Sequence, residues 1–121
     1  MKKVIATENA PKAVGPYSQA IEVNGTLYIS GQIPVNPADG KIQEEITAAA
    51  HQSLKNIGAI LKEAGMTYDN VVKTTVLLAD IADFKAVNEV YAEYFTGDKP
   101  ARACYQAAAL PLGVKVEIEA I

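Results

Sequence analysis

NVVKTTVLLA, Asn70 to Ala79, is the stretch on which the fold turns. It is rich in β-branched residues and apolar on both alternating faces. That pattern belongs to a central strand rather than to an edge or a helix. On its N-terminal side, residues from about Glu44 to Ala64 read as a helix. Ile46, Ala50, Leu54, Ile57, Leu61 and Ala64 recur every three or four positions and form one apolar stripe. Gln52, Lys55, Asn56, Lys62 and Glu63 fall largely on the other side, and Gly65 is a natural stop. On its C-terminal side, Asp83 is placed to N-cap a second helix with Phe84, Val87, Tyr91 and Phe95 as its stripe. Thr96-Gly97 ends that helix.

Further out, SQAIEV and TLYIS flank Asn24-Gly25, a strong hairpin signal. KKVIA is a short first strand, and Gly31 to Gly40 reads as a loop because it holds two prolines and two glycines. ARACYQAAA and VKVEIEAI are the last two strands. The order β-β-β-α-β-α-β-β predicts an α+β domain, a single mixed β-sheet with two helices packed on one face. Two helices cover only one face of such a sheet. The apolar second face of the central strand, and the small apolar residues from Ala101 to Ala109, then need another cover. Burial by identical subunits is the simplest one.

The chain has 121 residues, a net charge of −3, 50% hydrophobic residues and one cysteine. One domain, residues 1–121, accounts for that length. The acidic balance and the lack of a basic run argue against nucleic acid as a partner. No apolar run is long enough to span a bilayer, so no membrane partner is expected. MKKVIATENA lacks the apolar segment of a signal peptide. A lone cysteine fits a reducing, cytoplasmic setting.

Alternation puts Arg102, Cys104 and Gln106 on one face of their strand, and Lys115, Glu117 and Glu119 on one face of theirs. A charged residue on a covered strand needs a partner or a ligand. Arg102 therefore reads either as half of an ion pair or as a bidentate carboxylate anchor. If the last two strands formed a simple hairpin, Arg102 and Glu117 would lie ~13 Å apart along the ladder. They share a site only if the strands are not simple neighbours or if a second subunit contributes. Cys104 is the one candidate thiol nucleophile, and as a small buried hydrophobe it needs no such role. His51, the only histidine, sits among solvated helix residues, and one His with one Cys makes no metal set. Tyr17 follows Gly15-Pro16 in a turn and is placed to present its hydroxyl to a pocket. Ser30-Gly31 closes a strand and leaves backbone groups for a ligand. No dinucleotide, P-loop or nucleophile-elbow spacing occurs.

GPYSQA, YISGQIPVNP, VKTTVLLADIADFKAVNEVY, KPARACY and VKVEIEAI, taken in this order, resemble the RidA family, also called YjgF. The resemblance covers essentially the whole chain. It implies a chorismate-mutase-like fold and a homotrimer with clefts between subunits. It also implies cofactor-free hydrolysis of 2-aminoacrylate, 2-aminocrotonate and their imine tautomers, which pyridoxal-phosphate-dependent serine and threonine dehydratases release. The products are 2-keto acids and ammonia. In that reading Arg102 anchors the substrate carboxylate and Glu117 activates water. Tyr17 hydrogen-bonds the substrate or the water. Backbone groups near Ser30, Gly31 and Cys104 orient the imine, and Asn88 shapes the cleft. Two other readings use the same residues. One is a non-enzymatic module that binds 2-keto acids. The other is a ribonuclease, against which the acidic charge weighs.

Overall fold

The computed structural model describes residues 1–121. Its strands are β1 (Lys3–Ile5), β2 (Ala20–Val23), β3 (Thr26–Gln32), β4 (Lys73–Leu78), β5 (Ala101–Gln106) and β6 (Val116–Ala120). Its helices are α1 (Ile46–Glu63) and α2 (Phe84–Tyr94). The predicted element order holds. The β2–β3 hairpin turns at Asn24 and Gly25, with φ of 52° and 78°. Both residues adopt the left-handed conformation that a two-residue turn of matching twist demands, and Asn-Gly meets that need.

The six strands form one sheet in the order β1-β2-β3-β6-β4-β5. Every pairing is antiparallel except β4 with β5. That exception follows from α2, which carries the chain back over the sheet so that β5 re-enters alongside β4. The last two strands therefore do not form a hairpin. β6 is inserted between β3 and β4, and β5 is left on the edge.

Both helices pack on one face. Leu54, Ile57 and Ile60 of α1 and Val87 of α2 meet Val76, Leu78, Val116 and Ile118 of the sheet, all essentially inaccessible to solvent. Burial of each such side chain contributes roughly 1.5–3 kcal/mol before chain entropy is counted. This explains the double apolarity of the central stretch. Thr74, Val76 and Leu78 face the helices, while Thr75 and Leu77 lie half-buried on the open face.

Four local expectations need correction. Asn56, expected on the solvated side of α1, is buried. Its amide donates to the Ile33 and Val35 carbonyls. It thus satisfies the backbone of the proline-containing loop, which is why a polar residue belongs there. Phe84, expected in the apolar stripe of α2, is 40% exposed, and Val90 is buried instead. Asp83 stands at the start of α2 but makes no side-chain cap. Asp80 caps the preceding 3-10 turn through the Ala82 amide. Gly31 and Gln32, assigned to the loop, extend β3. The loop proper is held by a bridge between Val35 and Ile42.

Candidate active site

Glu117 lies on the open face of β6, between the buried Val116 and Ile118 in sequence and opposite them in direction. Its carboxylate rests against Gly31 of β3. A Cβ added at Gly31 would lie 2.5 Å from Glu117 Oε2, so the missing side chain is what gives the carboxylate its seat. Burial pushes the Glu117 carboxyl above its ordinary range, and the charge of Glu119 adds to the shift. Gly31 and Ser30 fall where the β3–β6 register shifts between Ile29 and Gln32, a bulge beside the carboxylate.

Ser30 turns its hydroxyl inward. Its Oγ donates to the Ser18 carbonyl at 2.6 Å, and its amide donates to the Gln19 carbonyl at 2.9 Å. These bonds strap the Tyr17–Gln19 segment to β3. Tyr17 sits in a tight turn, its amide donating to the Gly15 carbonyl at 2.8 Å. It remains half exposed and, with Gly31, Val35 and Leu112, lines a cavity of about 330 Å³. Tyr17, Ser30, Gly31 and Glu117 therefore form one group.

Arg102 belongs to a second group. On edge strand β5 it is in register with Thr74, whose hydroxyl meets the Tyr91 hydroxyl of α2 at 2.7 Å. Arg102 therefore points to the helix face. Its Nη1 donates to Asn88 Oδ1 at 2.7 Å. Its guanidinium carbon lies 4.9 Å from the Tyr91 ring centre and 5.5 Å from that of Phe84. Asn88, Tyr91, Lys99 and Arg102 border an open cavity of about 320 Å³.

Cys104 follows on the same face, half-buried. Burial pushes its thiol up, and Arg102 offsets only part of the shift. That favours a neutral thiol and not a nucleophile. The ring of His51 is engaged elsewhere, with Nδ1 2.7 Å from the Tyr94 hydroxyl and Nε2 3.8 Å from Glu93. The backbone of Cys104 is better placed than its sulfur. The amides of Ala101 and Ala107 bond toward β4, so the alternation of a parallel ladder turns the N–H and C=O of residues 102, 104 and 106 to the free edge.

The two groups do not meet within one chain. Arg102 is aligned through Thr74 with Ala120, and Glu117 through Leu77 with Tyr105. Strand spacings then place Arg102 and Glu117 ~10 Å apart across the sheet and ~10 Å apart along it. They are also on opposite faces. The last two strands are indeed not simple neighbours, one of the two conditions under which the pair could share a site, yet their opposed faces keep the two side chains apart within one chain. Phe84 and Tyr91 were not singled out as site residues from sequence. The signal was their spacing, since they flank Asn88 at i−4 and i+3 and so share its helix face.

No three His, Cys, Asp or Glu residues cluster closely enough to hold a metal, and no helix is long and apolar enough to cross a membrane.

A family model described as Endoribonuclease L-PSP matches residues 7–121. The 2-iminobutanoate/2-iminopropanoate deaminase of Mus musculus is 57% identical over 122 residues, covering 100% of this chain and 90% of its own. The protein of the same name from Salmonella typhimurium is 48% identical, covering 100% of this chain and 97% of its own. The crystal structure of the E. coli YjgF gene product superposes with a TM-score of 0.95 at 47% identity, over 98% of this chain and 95% of that one. A family model spanning nearly the whole chain, with relatives near or above half identity from end to end, places this protein in the RidA/YjgF family.

Proposed function

We propose that this protein hydrolyses 2-iminobutanoate and 2-iminopropanoate, and their enamine tautomers, to 2-keto acids and ammonia, without a cofactor. The observation that carries this is the end-to-end match to relatives bearing that activity as their name. The two residue groups supply a chemistry for it. Arg102 holds the substrate carboxylate through its fork. The Glu117 carboxylate takes a proton from water as the water oxygen bonds to the imine carbon. Glu117 hands that proton to the imine nitrogen, which gives a 2-amino-2-hydroxy acid. Glu117 then carries the hydroxyl proton to the amine, and the C–N bond breaks, ammonia leaves and the C=O forms. A carboxyl held above its ordinary range is suited to both halves of that transfer. Tyr17 hydrogen-bonds the substrate or the water, and backbone groups at Gly31 and Cys104 orient the imine nitrogen. Such imines already hydrolyse in water unaided, so the barrier reduction required is modest and positioning supplies most of it.

Because Arg102 and Glu117 face opposite ways, each site takes Arg102 from one copy and Glu117 from the next, in a closed homotrimer with clefts between subunits. The open face supports this assembly. Val4, Tyr28 and Tyr105 are 57%, 48% and 53% exposed on the single chain. A reducing cytoplasmic setting accords with the lone free Cys104.

A second reading is a module that binds small amino or keto acids without turnover. It draws on the crystal structure of E. coli TdcF with bound serine, 42% identical to this chain. One experiment separates the two. A serine or threonine dehydratase generates the imine, and semicarbazide traps what is not hydrolysed. The deaminase reading expects wild type to suppress semicarbazone formation and Arg102→Ala to leave it at the rate without added protein. Unchanged trapping with wild type overturns it and leaves the binding module.

A further inference from the structure

We infer that Phe84 and Tyr91 are positioning residues, an aromatic cradle that fixes the plane of the Arg102 guanidinium for its carboxylate partner. The inference rests on the reading in which Arg102 is the carboxylate anchor, and it assigns two residues which that reading leaves without a role.

An arginine on an edge strand has four rotatable side-chain bonds, and ordering them opposes any bidentate contact. Here the head group is fixed before a ligand arrives. Two ring centres lie within 5.5 Å of the guanidinium carbon, inside the range of cation–π attraction. Asn88 Oδ1 takes one Nη1 proton at 2.7 Å and leaves the other donors of the fork free. Phe84, Asn88 and Tyr91 lie on one face of α2, so a single rigid helix presents all three.

That helix is tied to the strands which carry the arginine. The Tyr91 hydroxyl meets Thr74 Oγ1 in the buried layer, and the Ile81 amide donates to Gln106 Oε1 of β5 at 2.9 Å, just ahead of Phe84. Phe84 is the informative member. It packs poorly into the core, being 40% exposed, yet it sits against the guanidinium. A phenyl ring kept half in water beside an arginine gains from the cation what it does not gain from burial.

The test compares Phe84→Leu, which keeps apolar bulk without the ring, and Phe84→Tyr, which keeps the ring. Because Phe84 is largely outside the core, both variants are expected to fold. Titration calorimetry measures binding of 2-oxobutanoate and of its neutral analogue 2-oxobutanamide. Nitrogen relaxation of the Arg102 Nε–H reports head-group order without any ligand. Phe84→Leu is expected to weaken 2-oxobutanoate roughly three- to ten-fold, to leave the amide within about twofold, and to mobilise Nε–H; Phe84→Tyr is expected to restore all three.

Equal losses for acid and amide mean a merely structural role and overturn the inference. So does an unchanged affinity for the acid, or an Nε–H as mobile in wild type as in Phe84→Leu. The outcomes separate the two claims. If wild type hydrolyses no imine, while Phe84→Leu weakens 2-oxobutanoate but not the amide and mobilises the Arg102 Nε–H, the deaminase reading fails and the cradle stands. If wild type hydrolyses the imine while Phe84→Leu changes neither affinity nor order, the cradle fails alone.

Discussion

Glu117 owes its raised carboxyl chiefly to burial and secondly to Glu119, two residues along the same face of β6. The two causes are separable by substitution. Glu119→Gln removes the like charge and keeps the shape, so the charged form of Glu117 becomes easier to reach and its pKa falls. Acting as base, Glu117 must be deprotonated. Activity is therefore lost as pH falls through its pKa, at a pH above the usual carboxylate range. In Glu119→Gln the acid limb of the kcat/KM profile is expected to move to lower pH with the neutral-pH rate little changed. A limb that stays in place, or moves up, contradicts this assignment.

At this scale Arg102 stood out in the sequence as a candidate, because a fixed charge in an alanine-rich strand contrasts with its neighbours. Alternation set Glu117 opposite Val116 and Ile118 together with Lys115 and Glu119, and the family resemblance made it the candidate among the three. Phe84 did not stand out as a site residue. An aromatic at the head of an amphipathic helix is ordinarily read as core, and only the position of β5 shows that a guanidinium meets it.

At the scale of elements, two glycines make room for oxygen atoms. A Cβ at Gly58 in α1 would overlap the Tyr68 hydroxyl. That hydroxyl donates to the Leu54 carbonyl at 2.7 Å, and burial pushes its pKa up to about 12, so it remains a donor across the neutral range. Alanine is ordinarily the better residue in a helix, by about 1 kcal/mol. Here overlap opposes that gain, and overpacking typically costs about 1–3 kcal/mol. Gly58→Ala is therefore expected to lower the melting temperature, and adding Tyr68→Phe to recover part of the loss. A higher melting temperature for Gly58→Ala would show that Tyr68 moves aside at no cost.

Gly31 is the counterpart in the site. A methyl there displaces the end of a flexible side chain rather than backbone. Gly31→Ala is expected to keep its melting temperature within a few degrees while kcat falls by up to about 10²-fold, the scale of a small misplacement of a reacting group. Loss of stability with unchanged specific activity would mean that Gly31 serves the bulge rather than the carboxylate. Element identity was readable in the sequence because period and turn chemistry are local. The insertion of β6 between β3 and β4 was not readable, because strand order depends on contacts between residues far apart in the chain.

At the scale of the molecule, the arrangement of strands decides what one chain lacks. With β4 between them, β5 and β6 send Arg102 and Glu117 to opposite faces, and no side-chain rotation within one copy joins them. The double apolarity of β4 and the small residues of β5 led the sequence reading to expect a cover for the second face. That Arg102 and Glu117 lie on opposite faces became legible only from register.

Subunit complementation tests this account most directly. Arg102→Ala and Glu117→Gln are each expected to be inactive in the dehydratase-coupled assay. Unfolded together in equal amounts and reassembled, they should form mixed oligomers in which some clefts pair an intact Arg102 with an intact Glu117 of the next copy. Random mixing in a closed ring predicts about a quarter of wild-type turnover. If mixed oligomers form, as subunit exchange of differently tagged variants would establish, and turnover stays at the level of either parent, then Arg102 and Glu117 do not act as a pair drawn from two chains.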